Sequence, residues 1–235
     1  MSWLSGLWPR NVSISNEHRR RLEAYRALPP MDDAITASAQ RCVVVDVETS
    51  GRQPYSDRLL AIGAVVVTNG LVRFDEVFST LLRQDHASPT ENILVHGIGG
   101  TMQIEAAEPA EALVSFLEFA RKSPLVAFRA DFDRVFVSRA AREVLDITPA
   151  NAWLDLAQLA PCFFPEHAAG AQSLDDWMRI FGIENYARHE ALADAVATAQ
   201  LLQVVLARAA HSGATRWSAL AAQARAQGWL ERQGR

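Results

Sequence analysis

Cysteine is scarce in this 235-residue chain, with only Cys42 and Cys162 present. Two are too few for a disulfide framework, and they lack the paired spacing of a zinc or redox motif, so a reducing compartment is expected. Long apolar runs are missing as well. No stretch approaches the ~20 uninterrupted apolar residues that cross a bilayer. The opening MSWLSGLWPR has no apolar run of the length a secretory signal needs. The expectation is no membrane span and a cytoplasmic location. An excess of positive charge is also absent: 23 basic residues against 27 acidic ones give a formal charge of −4. Any contact with a polyanion must then come from a local field or from bound metal. Lysine is reduced to Lys122 beside 22 arginines, an imbalance to which no function attaches. Internal repeats and low-complexity tracts are missing too.

What remains is ordinary globular material. Hydrophobic residues make up 49% and charged residues 21%, enough to bury a core without staples. At about 150 residues per domain, the length favours one large domain with appendages. Residues 1–40 read as an N-terminal helical appendage, 41–210 as the main domain and 211–235 as a C-terminal helical tail. The first segment carries a basic helical stretch from Glu17 to Leu28 that stops at Pro29-Pro30. Packing on its own domain is the simpler expectation for that helix. The rival is a contact of Arg19, Arg20 and Arg21 with phosphate or lipid, with Trp3, Leu4, Leu7 and Trp8 docking on a membrane or partner.

From Arg41 onward strands are expected at Cys42 to Glu48, Leu59 to Val67 and Leu71 to Leu82. Asn69-Gly70 between the last two is a strong hairpin signal. Val43, Val44 and Val45 without alternation place the first strand centrally, covered on both faces. Helix, strand and helix follow. Leu113, Phe116, Leu117 and Ala120 precede a short strand Leu125 to Phe128. Phe132, Val135, Phe136, Ala140 and Val144 then mark a second amphipathic helix. Trp153 to Leu156 reads as another short strand, and Ser173 with Asp176 as a capping box opening a helix that ends at Gly182. A long stripe from Leu192 to Ala209 forms a helix ending near Gly213, and Thr215 to Gln227 a final one. Strands first, then alternating helices and strands, describe a mixed α/β domain.

Three segments carry candidate chemistry. In Val43 to Thr49, Asp46 and Glu48 lie two residues apart in an apolar strand and so share a face. Burying both costs several kcal/mol unless they are paired or hold a cation. In Leu125 to Asp133, a strand runs out into acids where a helix begins, the end at which α/β sheets collect ligands. His189 to Asp194 opens the long striped helix, with Asp194 off the buried stripe. Each has a bland alternative taken singly: a strand tip, a helix cap, a solvated helix start. Brought together, they would gather four carboxylates in one place. Each pair at ~4 Å and an effective dielectric near 20 costs about 4 kcal/mol, a cost that divalent cations remove. Oxygen ligands without cysteine select magnesium or manganese, and two such ions about 3.5 to 4 Å apart suit phosphoryl displacement. A histidine titrating near neutrality can take the proton of the attacking water.

Asp46-Val47-Glu48-Thr49-Ser50-Gly51, Phe132-Asp133-Arg134-Val135-Phe136 and His189-Glu190-Ala191-Leu192-Ala193-Asp194-Ala195 resemble the three motifs of the DEDDh 3'-to-5' exonucleases. The proofreading epsilon-subunit type of bacterial DNA polymerase III is the most similar group. The resemblance runs from about Arg41 to Ala209, and Val95-His96-Gly97-Ile98 resembles that group's substrate-side loop. It implies a ribonuclease H-like fold, a five-stranded mixed sheet flanked by helices. It also implies two Mg2+ or Mn2+ ions: Asp46 would bridge them, Glu48 and Asp194 would complete the site of the attacking water, and Asp133 would support the second ion. His189 would be the general base, and Thr49 and His96 would contact the terminal nucleotide. Single-stranded or frayed 3' ends are the implied substrate, and a DNA polymerase the implied partner.

The chain departs from the pattern in places. Phe128-Arg129 stands where the family commonly has His-Asn, which makes Arg129 a candidate phosphate contact. Asp131 competes with Asp133 for the second-motif role, and the register with Phe132 and Phe136 favours Asp133. The tail holds Arg216, Arg225, Arg232 and Arg235 against Glu231, a modest field. The motifs fix chemistry at phosphorus but not the sugar, so an exoribonuclease is the alternative among enzymes. From another class, the alternative is a nucleic-acid-binding or polymerase-associated module without catalysis.

Overall fold

A computed structural model describes residues 14–233. Trp3, Leu4, Leu7, Trp8 and Arg235 lie outside the described residues, as do the side chains of Val95, Glu231 and Arg232. Helix α1 (Asn16–Ala27) is followed by strands β1 (Cys42–Thr49), β2 (Leu59–Thr68) and β3 (Leu71–Leu81). Short helices α2 (Thr90–His96) and α3 (Gly100–Ile104) lead to α4 (Pro109–Ala120), β4 (Leu125–Ala127), α5 (Asp131–Leu145) and β5 (Trp153–Asp155). Helices α6 (Leu156–Phe163), α7 (Leu174–Phe181), α8 (Ala191–His211) and α9 (Trp217–Gln233) complete the chain.

The strands form one five-stranded mixed sheet in the order β3-β2-β1-β4-β5, with β1 in the middle. The hairpin partners run antiparallel, while β4 and β5 run parallel to β1. Alternation along β1 divides the core into two layers, as the period of two requires. Cys42 and Val44 face α6, α7, α8 and α9, and Val43, Val45 and Val47 face α1, α4 and α5. Asp46 and Glu48 continue the Cys42–Val44 face, which puts them under the start of α8.

The α8 helix lies across β1, β2 and β3. Its length and mean hydropathy of 1.3 would let it cross a bilayer, but 56% of that apolar window is buried inside the protein, as befits a core helix. Its first turn touches the sheet at Gly63, which pairs with Asp46. A Cβ at Gly63 would sit 2.2 Å from the Ala191 carbonyl carbon and the Leu192 nitrogen, so only glycine admits the helix this close.

The first and last described helices join these layers. Helix α1 buries Leu22 and Tyr25, and the Tyr25 hydroxyl donates to Asn151 Oδ1 at 2.9 Å. Arg21 is committed to Glu111 and Glu118 of α4, each at 2.7 Å, so it is not free for phosphate or lipid. Helix α9 buries Trp217, Leu220 and Ala224, and Ser218 and Arg216 fasten it to Asp33. The Ser173–Asp176 capping box and the left-handed Gly182 terminus occur where the sequence predicts them. Helices α2, α3 and α6 carry no comparable sequence signal: α2 and α3 are short, and α6 carries Pro161 inside it.

Candidate active site

Asp46 and Glu48 emerge near the carboxyl end of the central strand, where a bulge between Glu48 and Thr49 shifts the register against β2. Asp133 comes from the first turn of α5, just past the carboxyl end of β4, and is 4% exposed. Asp194 comes from the first turn of α8 and is 5% exposed. Burial pushes the Asp46 carboxyl well above the usual range, and the neighbouring Asp133, Asp194 and Glu48 push it further. Burial likewise pushes Glu48 up to about 8, with Asp194 adding to it and Arg188 opposing. Asp133 is raised by burial and by Asp155 and Glu48, while the amides of Val47 and of Asp133 itself pull it back. Four of the five expected acid and base positions thus feel one another's field.

His189 is the fifth. One ring nitrogen of His189 and one oxygen each of Glu48 and Asp194 all lie within 4.8 Å of one another. The ring is solvent-exposed, and its backbone is left-handed (φ 64°), a strained conformation for a non-glycine residue. Asp194 holds that strain by accepting the His189 N–H at 3.2 Å. Asp194 also accepts Asn185 Nδ2 at 2.5 Å and forms an ion pair with Arg188.

Asp131 and Asp133 separate cleanly. Asp131 is exposed and paired with Arg134 at 2.9 Å, whereas Asp133 turns inward. Arg129 also has a defined place: its N–H donates to Asp155 at 3.0 Å and its Nη2 to the Gln172 carbonyl at 2.8 Å, across a left-handed backbone. Thr49 closes the bulge by donating its hydroxyl to the Gly51 carbonyl at 2.6 Å. His96 does not line the site openly. Its ring is 6% exposed, Nδ1 accepts the Ile98 N–H at 3.0 Å, and Nε2 lies 3.5 Å from Ser88 Oγ. Burial lowers its pKa, so the neutral ring carries its proton on Nε2 and serves to shape the loop at Gly97.

Besides Arg188, sequence reasoning missed three contributors. Asp155, at the end of β5, accepts the Arg129 and Ala157 amides at 3.0 and 2.9 Å; burial raises its pKa, and its charge acts on Asp133. Its position as the N-cap of α6 was the available signal. Gly63 inside an apolar strand was a second, since such a glycine marks a close backbone approach. Arg139 is the third: its guanidinium, half-buried over the Phe136 ring, donates to the Pro54 and Asp57 carbonyls and holds the 50–58 loop against α5. A lone arginine in a helix gives no such signal.

A family model described as exonuclease (RNase T) matches residues 43–202, which spans all of these residues. The chain belongs to this exonuclease family. A DNA polymerase III subunit epsilon-like protein of Rhodobacter capsulatus is 36% identical over 194 residues, 81% of this chain and 27% of that protein. The PolC-type DNA polymerase III of Bacillus subtilis is 31% identical over 173 residues, 73% of this chain and 12% of that one. The exonuclease chain therefore matches only a minor part of these relatives' length. Among solved structures, E. coli exonuclease I in complex with a dT13 oligonucleotide superposes with a TM-score of 0.64 at 18% identity, covering 73% of this chain and 42% of that one. The mixed sheet with its flanking helices is thus the ribonuclease H-like exonuclease fold.

The donor set suits hard divalent cations. Asp46, Glu48, Asp133 and Asp194 offer oxygen, no cysteine is near, and three of the four are forced toward protonation by burial and mutual repulsion.

Proposed function

We propose that this exonuclease removes nucleotides from the 3' ends of single-stranded or frayed DNA, releasing 5'-mononucleotides. The carrying observation is that Glu48, His189 and Asp194 lie within 4.8 Å of one another and that Asp46 feels the charge of Asp133, Asp194 and Glu48, in a chain of the exonuclease family. Asp46, Glu48, Asp133 and Asp194 are the residues that would hold two Mg2+ or Mn2+ ions. Bound there, such a pair would stabilise charge on the attacking and leaving oxygens of the phosphodiester. His189, exposed beside Glu48 and Asp194, takes the proton from the attacking water, and the strained backbone holds it at that place. Thr49 sits at the bulge beside Glu48 and meets the terminal nucleotide there, while His96 supports the adjoining loop from within. The oligonucleotide named in the exonuclease I structure supports a single-stranded DNA substrate, and the polymerase relatives support a proofreading partner.

The test is a 5'-labelled oligonucleotide with magnesium. Stepwise shortening is expected, faster at a mismatched primer end than at a matched one, and Asp46→Ala abolishes it. Paired DNA and RNA strands of one sequence decide the sugar preference. Shortening of RNA alone would replace the DNA assignment with an exoribonuclease.

A further inference from the structure

Asp194 is not an open ligand. Its Oδ1 is taken by Asn185 Nδ2 at 2.5 Å, and its Oδ2 receives both the His189 N–H and the Arg188 guanidinium. All three donors come from residues 185–189, the loop that enters α8. Arg188 has a second anchor beyond the site: its Nε donates to Asp175 Oδ1 at 2.8 Å and its Nη2 reaches Asp175 Oδ2 at 3.3 Å. The side chain is 32% exposed, while the Asp194 carboxylate is 7% exposed. One guanidinium therefore spans a buried acid of the site and an acid at the start of α7.

We infer that Arg188 is a resident counter-cation that competes with divalent ions for Asp194, and so sets the metal affinity of the site. The inference rests on the reading of these carboxylates as a metal site. An oxygen that already holds a guanidinium is a weaker ligand, and a cation arriving beside Arg188 meets like-charge repulsion. Asp175 gives the displaced guanidinium a place to stay, so releasing Asp194 does not strand a charge. By reciprocity, whatever Arg188 costs the metal, the metal costs the Arg188–Asp194 pair.

The test is Mn2+ binding by titration calorimetry on the 235-residue chain. Arg188→Gln is expected to tighten binding on the order of tenfold, the scale of an ordinary coupling between two sites. Arg188→Lys, which keeps the charge, is expected to stay near the wild-type affinity. Unchanged or weaker binding in Arg188→Gln, with wild-type protein binding Mn2+ normally, would overturn the competition and leave the metal site standing. No binding by wild-type protein would overturn both. An independent reading on the unaltered chain is the assigned resonance of the Arg188 Nη1 group, the nitrogen that faces Asp194. Saturating Mg2+ shifts it if the pair opens, and a resonance that stays in place contradicts the inference.

Discussion

At the scale of single residues, the decisive circumstance is that Asp46 sits in the middle strand of the sheet with three other acids in its field and no ion pair of its own among the described residues. Replacing it with asparagine would remove a proposed metal ligand and a source of repulsion together. Asp46→Asn is expected to lower exonuclease turnover by at least roughly a thousandfold. In metal-free buffer the same change raises Tm, by about 2 to 4 °C for each kcal/mol of relieved repulsion. Calorimetric melting with and without EDTA reads both signs. The pH dependence follows from Glu48, raised by burial from 4.5 to about 8 in the folded chain. Between those values the folded state binds the extra proton and the unfolded state does not. Metal-free stability is therefore expected to fall as pH rises from about 5 to about 8. Magnesium cancels the fall, because the ion replaces the proton, and a melting series at fixed ionic strength checks it. The pair Asp46 and Glu48 was legible in the sequence because strand alternation fixes a shared face without any tertiary knowledge. Arg188 was not, since a loop arginine becomes a site neighbour only once α8 is placed, and the capping pattern at Asp155 marks a helix start but not its nearness to Asp133.

Among the elements, α8 and β2 do the gathering. The helix brings Asp194 over the central strand only because Gly63 leaves room for the Ala191–Leu192 peptide. Gly63→Ala is expected to cost about 1 to 3 kcal/mol by overpacking. Its effect on turnover exceeds its effect on Tm, because any lift of the helix start separates Asp194 from Asp46. Denaturant melts and initial rates on one preparation compare the two. The strands, the long helix and the capped α7 could be read from periodicity and turn chemistry, which are local. Helices α2, α3 and α6 could not, because short segments gain their stability from the core they lie on. His96 shows the same limit: its place beside a motif suggested a contact with substrate, while its two ring hydrogen bonds and burial depend on Ser88 and Ile98 folding around it.

For the molecule as a whole, charge is the governing quantity. The net charge is −4, and many arginines are already paired: Arg21 with Glu111 and Glu118, Arg73 with Asp75, Arg83 with Glu108, Arg188 with Asp175 and Asp194. With acids outnumbering bases, the overall field does not favour a strand, and attraction would fall chiefly to the proposed metal ions. Single-stranded DNA binding in Ca2+ should therefore weaken only gently with salt, with a log–log slope shallower than about −3. A steep slope by fluorescence anisotropy would point instead to a basic track along the surface. Whether the separated acids gather to hold paired cations can be seen by anomalous diffraction from crystals soaked in Mn2+. Two manganese peaks are expected, about 3.5 to 4 Å apart, among Asp46, Glu48, Asp133 and Asp194. Manganese found only elsewhere, with this cluster empty at saturating concentration, would contradict the proposed two-ion site.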